Sequence, residues 1–173
     1  MTTAVVARAR LPFRLERLRR RWVADAVDGL PAHLTMLYPF VDAARLTAGV
    51  RSSIAVIAGR HEPFDYRVIG PARWPGTVYA AVQPVQPFVR LQRDLGLAFP
   101  DHPIYGEGPG FAYVPHITIA EDDAIRDDDL LDAVAWQALP VAARVEALEV
   151  IVRGDDGRWR TRWRIGLGHA AAR

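Results

Sequence analysis

Two short stretches of this chain carry the same residue types in the same order. His33-Leu34-Thr35-Met36 recurs as His116-Ile117-Thr118-Ile119, about half the chain apart, and a proline stands just upstream of each, Pro31 and Pro115. Both copies alternate polar and apolar residues, the period of a strand, in which residues i and i+2 point the same way. Each motif therefore aims one imidazole and one hydroxyl at the same place. An imidazole has an unperturbed pKa of about 6.5, so it can take or give a proton near neutrality. Two such pairs facing each other supply a base on one side of a ligand and an acid on the other. Displacement at phosphorus needs that arrangement, because the attacking and leaving oxygens lie on opposite sides. The hydroxyls of Thr35 and Thr118 suit the non-bridging oxygens, where charge develops. One His-x-Thr alone is more often a structural histidine; two matched copies point to paired acid–base chemistry.

Composition removes several rival chemistries. The 173 residues include no Cys and no Lys, and all 22 basic residues are Arg. Disulfides, a thiolate zinc site, a cysteine nucleophile, Schiff bases, a lysyl–nucleotide intermediate and a P-loop lysine are therefore excluded. A zinc site on the two motif histidines would need a third ligand, and neither motif carries an acid at ligand spacing. No metal or cofactor is expected. His61, His102 and His169 lack the threonine partner and read as surface or loop residues. The net charge of +2 suits a phosphorylated ligand but not a dedicated duplex binder. No apolar run approaches 18 residues, and residues 1–13 contain no secretory h-region, so a cytoplasmic protein, monomeric and without membrane partner, is expected.

The elements that must position the motifs follow from periodicity. Strands are predicted over 3–9, 33–40, 64–69, 77–82, 111–120, 145–152 and 158–167. Helices are predicted over 14–27, 43–58, 87–98 and 127–139, the last with an acidic start, Asp127–Asp129, that suits the positive end of a helix dipole rather than a metal. The Arg19–Arg21 run reads as the solvated face of the first helix. Residues 70–76 (GPARWPG) and 100–110 (PDHPIYGEGPG) read as loops, which expose Trp74 and Tyr105 as platforms for a base. Tyr113, beside the second motif, is a further candidate for binding the substrate through a stacked base, and Arg73 beside Trp74 could meet a phosphate. Tyr38 and Phe111 read as core. In the last strand Trp159, Thr161, Trp163 and Ile165 alternate strictly with Arg158, Arg160, Arg162 and Arg164. The Trp/Ile face should pack on helices, which would turn the arginines, Arg160 and Arg162 among them, toward a polyanionic ligand.

The paired motifs resemble those of the 2H phosphoesterase superfamily, specifically its bacterial branch of 2′-5′ RNA ligase-like proteins and RNA 2′,3′-cyclic phosphodiesterases. The resemblance covers nearly the whole chain and is most specific over residues 33–40 and 113–120. It implies an α+β fold: two pseudo-symmetric lobes whose antiparallel sheets flank a central cleft, with helices on the outer faces, in one bilobal domain over residues 1–173. It maps the catalytic pairs onto His33 with Thr35 and His116 with Thr118, with His33 protonating the leaving group and His116 activating water. The implied activity is metal-independent hydrolysis of 2′,3′-cyclic phosphodiesters, on RNA ends or small cyclic nucleotides, to 2′-phosphates. Two alternatives stay open: a non-catalytic nucleotide or RNA-end binding module, and a 2′-5′ ligase or tailoring enzyme on the same fold. The central loops are shorter than in members that handle long RNA, which counts against a large RNA partner.

Overall fold

The two His-x-Thr motifs open two strands that belong to different sheets. The computed structural model describes residues 1–107, 111–121 and 133–168. One sheet has the order β2-β1-β7-β8, formed by β1 (Thr3–Arg8), β2 (His33–Leu37), β7 (Ala147–Arg153) and β8 (Trp159–Gly166). The other has the order β5-β4-β3-β6, formed by β3 (Phe64–Trp74), β4 (Thr77–Gln83), β5 (His116–Glu121) and β6 (Val141–Val145). All pairings are antiparallel. Each motif strand is an edge of its sheet, and the two edges, β2 and β5, adjoin. This is the expected α+β architecture of two lobes about a cleft.

Strand alternation splits each motif between core and cleft. Leu34, Met36, Ile117 and Ile119 are fully buried, while His33, Thr35, His116 and Thr118 are only partly so. The buried face packs against Ile54 and Ile57 of α3 (Ala48–Ala58) and Phe88, Leu91 and Leu95 of α4 (Gln86–Ala98). Each such side chain contributes about 1.5–3 kcal/mol of burial, which fixes strand register and with it the direction of the imidazoles. Trp22, at the end of α1 (Phe13–Trp22), and Trp136, in α5 (Ala133–Trp136), pack against Val78 and Ala120.

Several sequence expectations are corrected. The helix expected over 14–27 breaks at Val23, whose backbone is extended, and resumes as α2 (Ala24–Val27). The break lets Asp25 accept from the Trp159 indole N–H and the Asp28 carbonyl accept from the Trp159 backbone N–H. Arg19 is not on a solvated face: it is 2 % exposed. The helix expected over 43–58 is a short 3₁₀ turn, Ala43–Arg45, followed by α3 with Thr47 as its cap. Residues 70–74 are not loop but the second half of β3. Beyond Val68 that strand no longer pairs with β6, and an edge tolerates Gly70 and Pro71. Residues 111–115 are irregular, and β5 begins only at His116. Strand β6 was not expected. Of the helix expected over 127–139, residues 127–132 lie outside the described residues, as does His169.

The strict alternation of the last strand is also broken. Val150 pairs with Trp163, but Ile151 pairs with Thr161, so Arg162 is the extra residue of a bulge. One inserted residue reverses the parity of what precedes it. Trp163 and Ile165 keep the face toward the main core, whereas Trp159 turns to the opposite face and packs with Ala4, Val6 and Ile151.

Candidate active site

A cleft of 590 Å³ is lined by all four motif residues, His33, Thr35, His116 and Thr118. The two imidazoles are held in the same way. His33 Nδ1 lies 2.7 Å from the Pro31 carbonyl oxygen, and His116 Nδ1 lies 2.8 Å from the Val114 carbonyl oxygen. A carbonyl only accepts, so each Nδ1 carries a hydrogen and donates it. Each neutral ring therefore keeps its lone pair on Nε2. That atom is a base while the ring is neutral and an N–H donor once it is protonated. The anchor is the carbonyl two residues upstream in both copies, so the repeat extends from sequence to hydrogen bonding.

Arg19 stands behind His33. Both of its terminal nitrogens donate to the Leu30 carbonyl at 3.1 Å, and Nη2 also donates to the Pro31 carbonyl that receives His33 Nδ1–H. Glu16 accepts from it at 3.3 Å. Burial lowers the His33 pKa to about 4, and the nearby charges of Arg19 and His116 add to the effect, opposed by the Pro31 bond. Burial lowers the His116 pKa as well, with the Val114 bond opposing. With both pKa values below the ordinary 6.5, both imidazoles favour the neutral form at pH 7. Sequence reasoning placed Arg19 on the wrong face, although it lies four residues after Leu15 and three before Trp22, on their side of the helix.

Aromatic rings close around His116. Trp74 stacks on Tyr79 with centroids 4.1 Å apart and meets the His116 ring edge-on at 4.7 Å. Tyr105 lies 6.4 Å from the same ring and 6.3 Å from Phe111. Trp74 and Tyr105 both line the cleft, as do Tyr38 and Phe111, which are 39 % and 43 % exposed rather than core. Strand β2 ends at Leu37, so Tyr38 escapes the alternation that would have buried it. Tyr105 adopts φ +56°, a left-handed conformation uncommon for a side-chain-bearing residue, and its N–H donates to the Tyr38 carbonyl. Tyr113 is outside the lining: its buried hydroxyl donates to the Thr35 backbone carbonyl at 2.8 Å, tying the second motif's approach to the first motif's strand.

The charged residues expected at the ligand lie elsewhere. Arg73 stands opposite Val78 in the β3–β4 hairpin and is not part of the lining. Arg160 is bonded to Asp156, and Arg162 occupies the bulge; neither lines the cleft, nor do Arg158 and Arg164. For Arg158 and Arg160 the bulge is the physical reason, since it gave the cleft face to Trp159. Instead the lining includes Asp25, Glu107 and Glu121, and Arg19 is the one arginine among its described residues. Burial raises the Glu121 pKa, aided by Asp25 and opposed by Arg19. These carboxylates were not foreseen. Among the described residues no group of three or more potential ligands is placed to hold a metal ion.

The model of the 2′-5′ RNA ligase superfamily matches residues 6–157. No curated protein matches significantly. Solved structures with the same fold include TT0787 of Thermus thermophilus, with a TM-score of 0.60 at 18 % identity over 97 % of this chain and 98 % of that one. Escherichia coli LigT in complex with 3′-AMP gives a TM-score of 0.56 at 15 % identity, and LigT in complex with ATP gives 0.59 at 18 %. Both cover 97 % of this chain and 98 % of the other. With most of its length matched and its two His-x-Thr strands bordering one cleft, this chain belongs to the 2′-5′ RNA ligase superfamily, the 2H phosphoesterases.

Proposed function

We propose that this protein hydrolyses 2′,3′-cyclic phosphodiesters to 2′-phosphates by paired histidine acid–base catalysis. The observation that carries the reading is the matched pair of imidazoles, each anchored through Nδ1 and each leaving Nε2 free, in one cleft. His116 Nε2 takes a proton from water as the water oxygen bonds to phosphorus. The P–O3′ bond breaks, and His33 Nε2–H protonates the departing O3′. One proton is taken and one is given, so a cycle ends with the two rings exchanged in charge and bulk water resets them. Thr35 and Thr118 bind the non-bridging oxygens. Burial favours the neutral form of His33, and the substrate anion raises its pKa again; an opposite charge within about 4–6 Å does this. The exposed rings of Tyr38, Tyr105 and Phe111 suit a stacked base. The nucleotide complexes of LigT, a relative in fold, support a nucleotide ligand here.

The test is turnover of 2′,3′-cyclic mononucleotides by wild type, His33→Ala, His116→Ala and the double variant. Each single change should cost about 10²- to 10⁴-fold in kcat, and the double variant should be little worse than either, because the pair acts as a unit. EDTA should leave the rate unchanged. A single variant that retains near-normal kcat would remove its histidine from the mechanism, and loss on chelation with recovery on one metal would refute the metal-free scheme.

A further inference from the structure

A second groove, of 440 Å³, opens outside the histidine cleft where β6 passes directly into β7. Arg8, Arg10, Arg144 and Arg164 line it, against the carboxylates of Glu146 and Glu149. Their charges are unevenly used. Arg8 is committed to Glu149 through two bonds of 2.9 Å, and Arg144 to Asp65 at 2.8 Å. Arg164 reaches Glu146 only at 3.7 Å, with both side chains more than half exposed. Arg10 has no ion-pair partner among the described residues. Tyr66 lines the same groove, and its hydroxyl, in a residue 2 % exposed, has no hydrogen-bond partner among the described residues. A buried donor left unmet costs about 1–3 kcal/mol, so native structures rarely tolerate one without a ligand or water to meet it.

This groove adjoins the cleft. Arg8 stands directly opposite His33 across β1–β2, and Arg164 opposite Glu149 across β7–β8. Cross-strand partners have Cα atoms about 4.5–5.5 Å apart, so the basic surface begins beside the motif imidazole. The two cavities also differ in sign. The cleft sets Asp25, Glu107 and Glu121 against Arg19, whereas arginines outnumber carboxylates in the groove. A chain of phosphates that ends in the cleft must find its countercharge outside it, and this groove, whose Arg8 pairs with His33 across β1–β2, offers one.

We propose that this groove binds the phosphodiester backbone of a short single-stranded RNA whose terminal phosphate lies between His33 and His116; the placement of that terminus rests on the function proposed above. Basic grooves that track a backbone are the usual means of holding single strands. The experiment is a fluorescence-anisotropy titration of a labelled pentaribonucleotide ending in a 2′-phosphate, at several salt concentrations, with wild type, Arg10→Ala, Arg164→Ala and the double variant. A 2′-phosphate mononucleotide, too short to leave the cleft, is measured by competition. Each single change should weaken pentanucleotide binding about three- to tenfold and lower the salt slope by about 0.7 per lost phosphate contact. Mononucleotide affinity should change less than twofold. Both side chains are exposed, and circular dichroism of each variant checks the fold, with Arg10→Gln and Arg164→Gln as substitutes for any variant that fails it. The inference is overturned if wild type does not prefer the pentanucleotide, if the double variant keeps wild-type affinity and salt slope, or if both probes weaken equally. Binding needs no turnover, so RNA held through the groove by a protein that hydrolyses no cyclic phosphate would refute the proposed function and leave the groove standing.

Discussion

Arg19 shows how a residue away from the reacting atoms can set the chemistry of one that touches them. It shares the Pro31 carbonyl with His33, so it fixes the segment that orients the ring, and its charge opposes protonation of that ring. Arg19→Met should separate the two effects. Loss of the guanidinium leaves the Leu30 carbonyl without its donor, at a cost of about 1–3 kcal/mol, readable as a lower urea midpoint. Loss of the charge lets the His33 pKa rise, so the kcat/KM–pH profile should move to higher pH. In wild type that profile should be bell-shaped and centred below pH 6.5, because burial lowers both imidazoles; its limbs report the pair rather than either ring. An Arg19→Met profile superimposable on wild type would show that the guanidinium is structural only. Tyr113→Phe is the companion case: it removes the bond to the Thr35 carbonyl, worth about 1 kcal/mol, and should lower stability without abolishing turnover. Thermal melts and initial rates on the same preparation check both halves.

At the scale of elements, the wall of the cleft depends on one irregular strand. The bulge at Arg162 puts Trp159 on the cleft side, where its indole donates to Asp25 and its backbone N–H to the Asp28 carbonyl. Deleting Arg162 would make the ladder regular and still leave Trp159 on the cleft side, because Thr161 would then precede Trp163 directly and the pairs Ile151–Thr161 and Arg153–Trp159 would stand. Trp159→Ala, which empties the site, should cost about 3–5 kcal/mol, measured as a large fall in Tm, and the deletion should cost much less. A deletion variant that loses as much Tm as Trp159→Ala would contradict this assignment of the bulge to Arg162. The turn that receives this strand is equally constrained. Gly29 has φ +93°, and a Cβ there would lie 3.0 Å from the Trp159 carbonyl oxygen. Gly29→Ala combines left-handed strain with close backbone contact, so it should destabilise by at least about 1 kcal/mol.

For the molecule as a whole, the lowered imidazoles make folding stability depend on pH. An unfolded histidine titrates near 6.5, whereas folded His33 titrates near 4. Between those values the unfolded chain binds more protons, so stability rises with pH and is lost as pH falls from 6.5 toward 4. Glu121, with its pKa raised, works in the opposite direction above the ordinary glutamate range, and a comparison with His33→Gln isolates the histidine. The urea midpoint of wild type should fall between pH 7 and pH 5 by more than that of His33→Gln; equal falls would contradict the buried neutral imidazole. No helix among the described residues is long and apolar enough to cross a membrane.

The motif pair and its strand setting were legible in the sequence because they rest on local rules. A period of two fixes which residues of His33–Met36 and His116–Ile119 face away from the core, and the repeat implies two strands doing the same job. The buried partners Leu34, Met36, Ile117 and Ile119 follow from the same rule. What faces the motifs was not legible. The parity of β8 depends on a bulge that no residue type announces, and the extension of β3 to Trp74 depends on where β6 stops pairing. The split between α1 and α2 depends on bonds to Trp159, a partner far along the chain. Arg19 could be buried only because the Leu30 and Pro31 carbonyls were brought to it by the turn into β2. Local spacing thus determined which groups carry protons. Long-range pairing alone decided which charges and rings surround them, because a side chain's face and partner depend on what the rest of the chain places beside it.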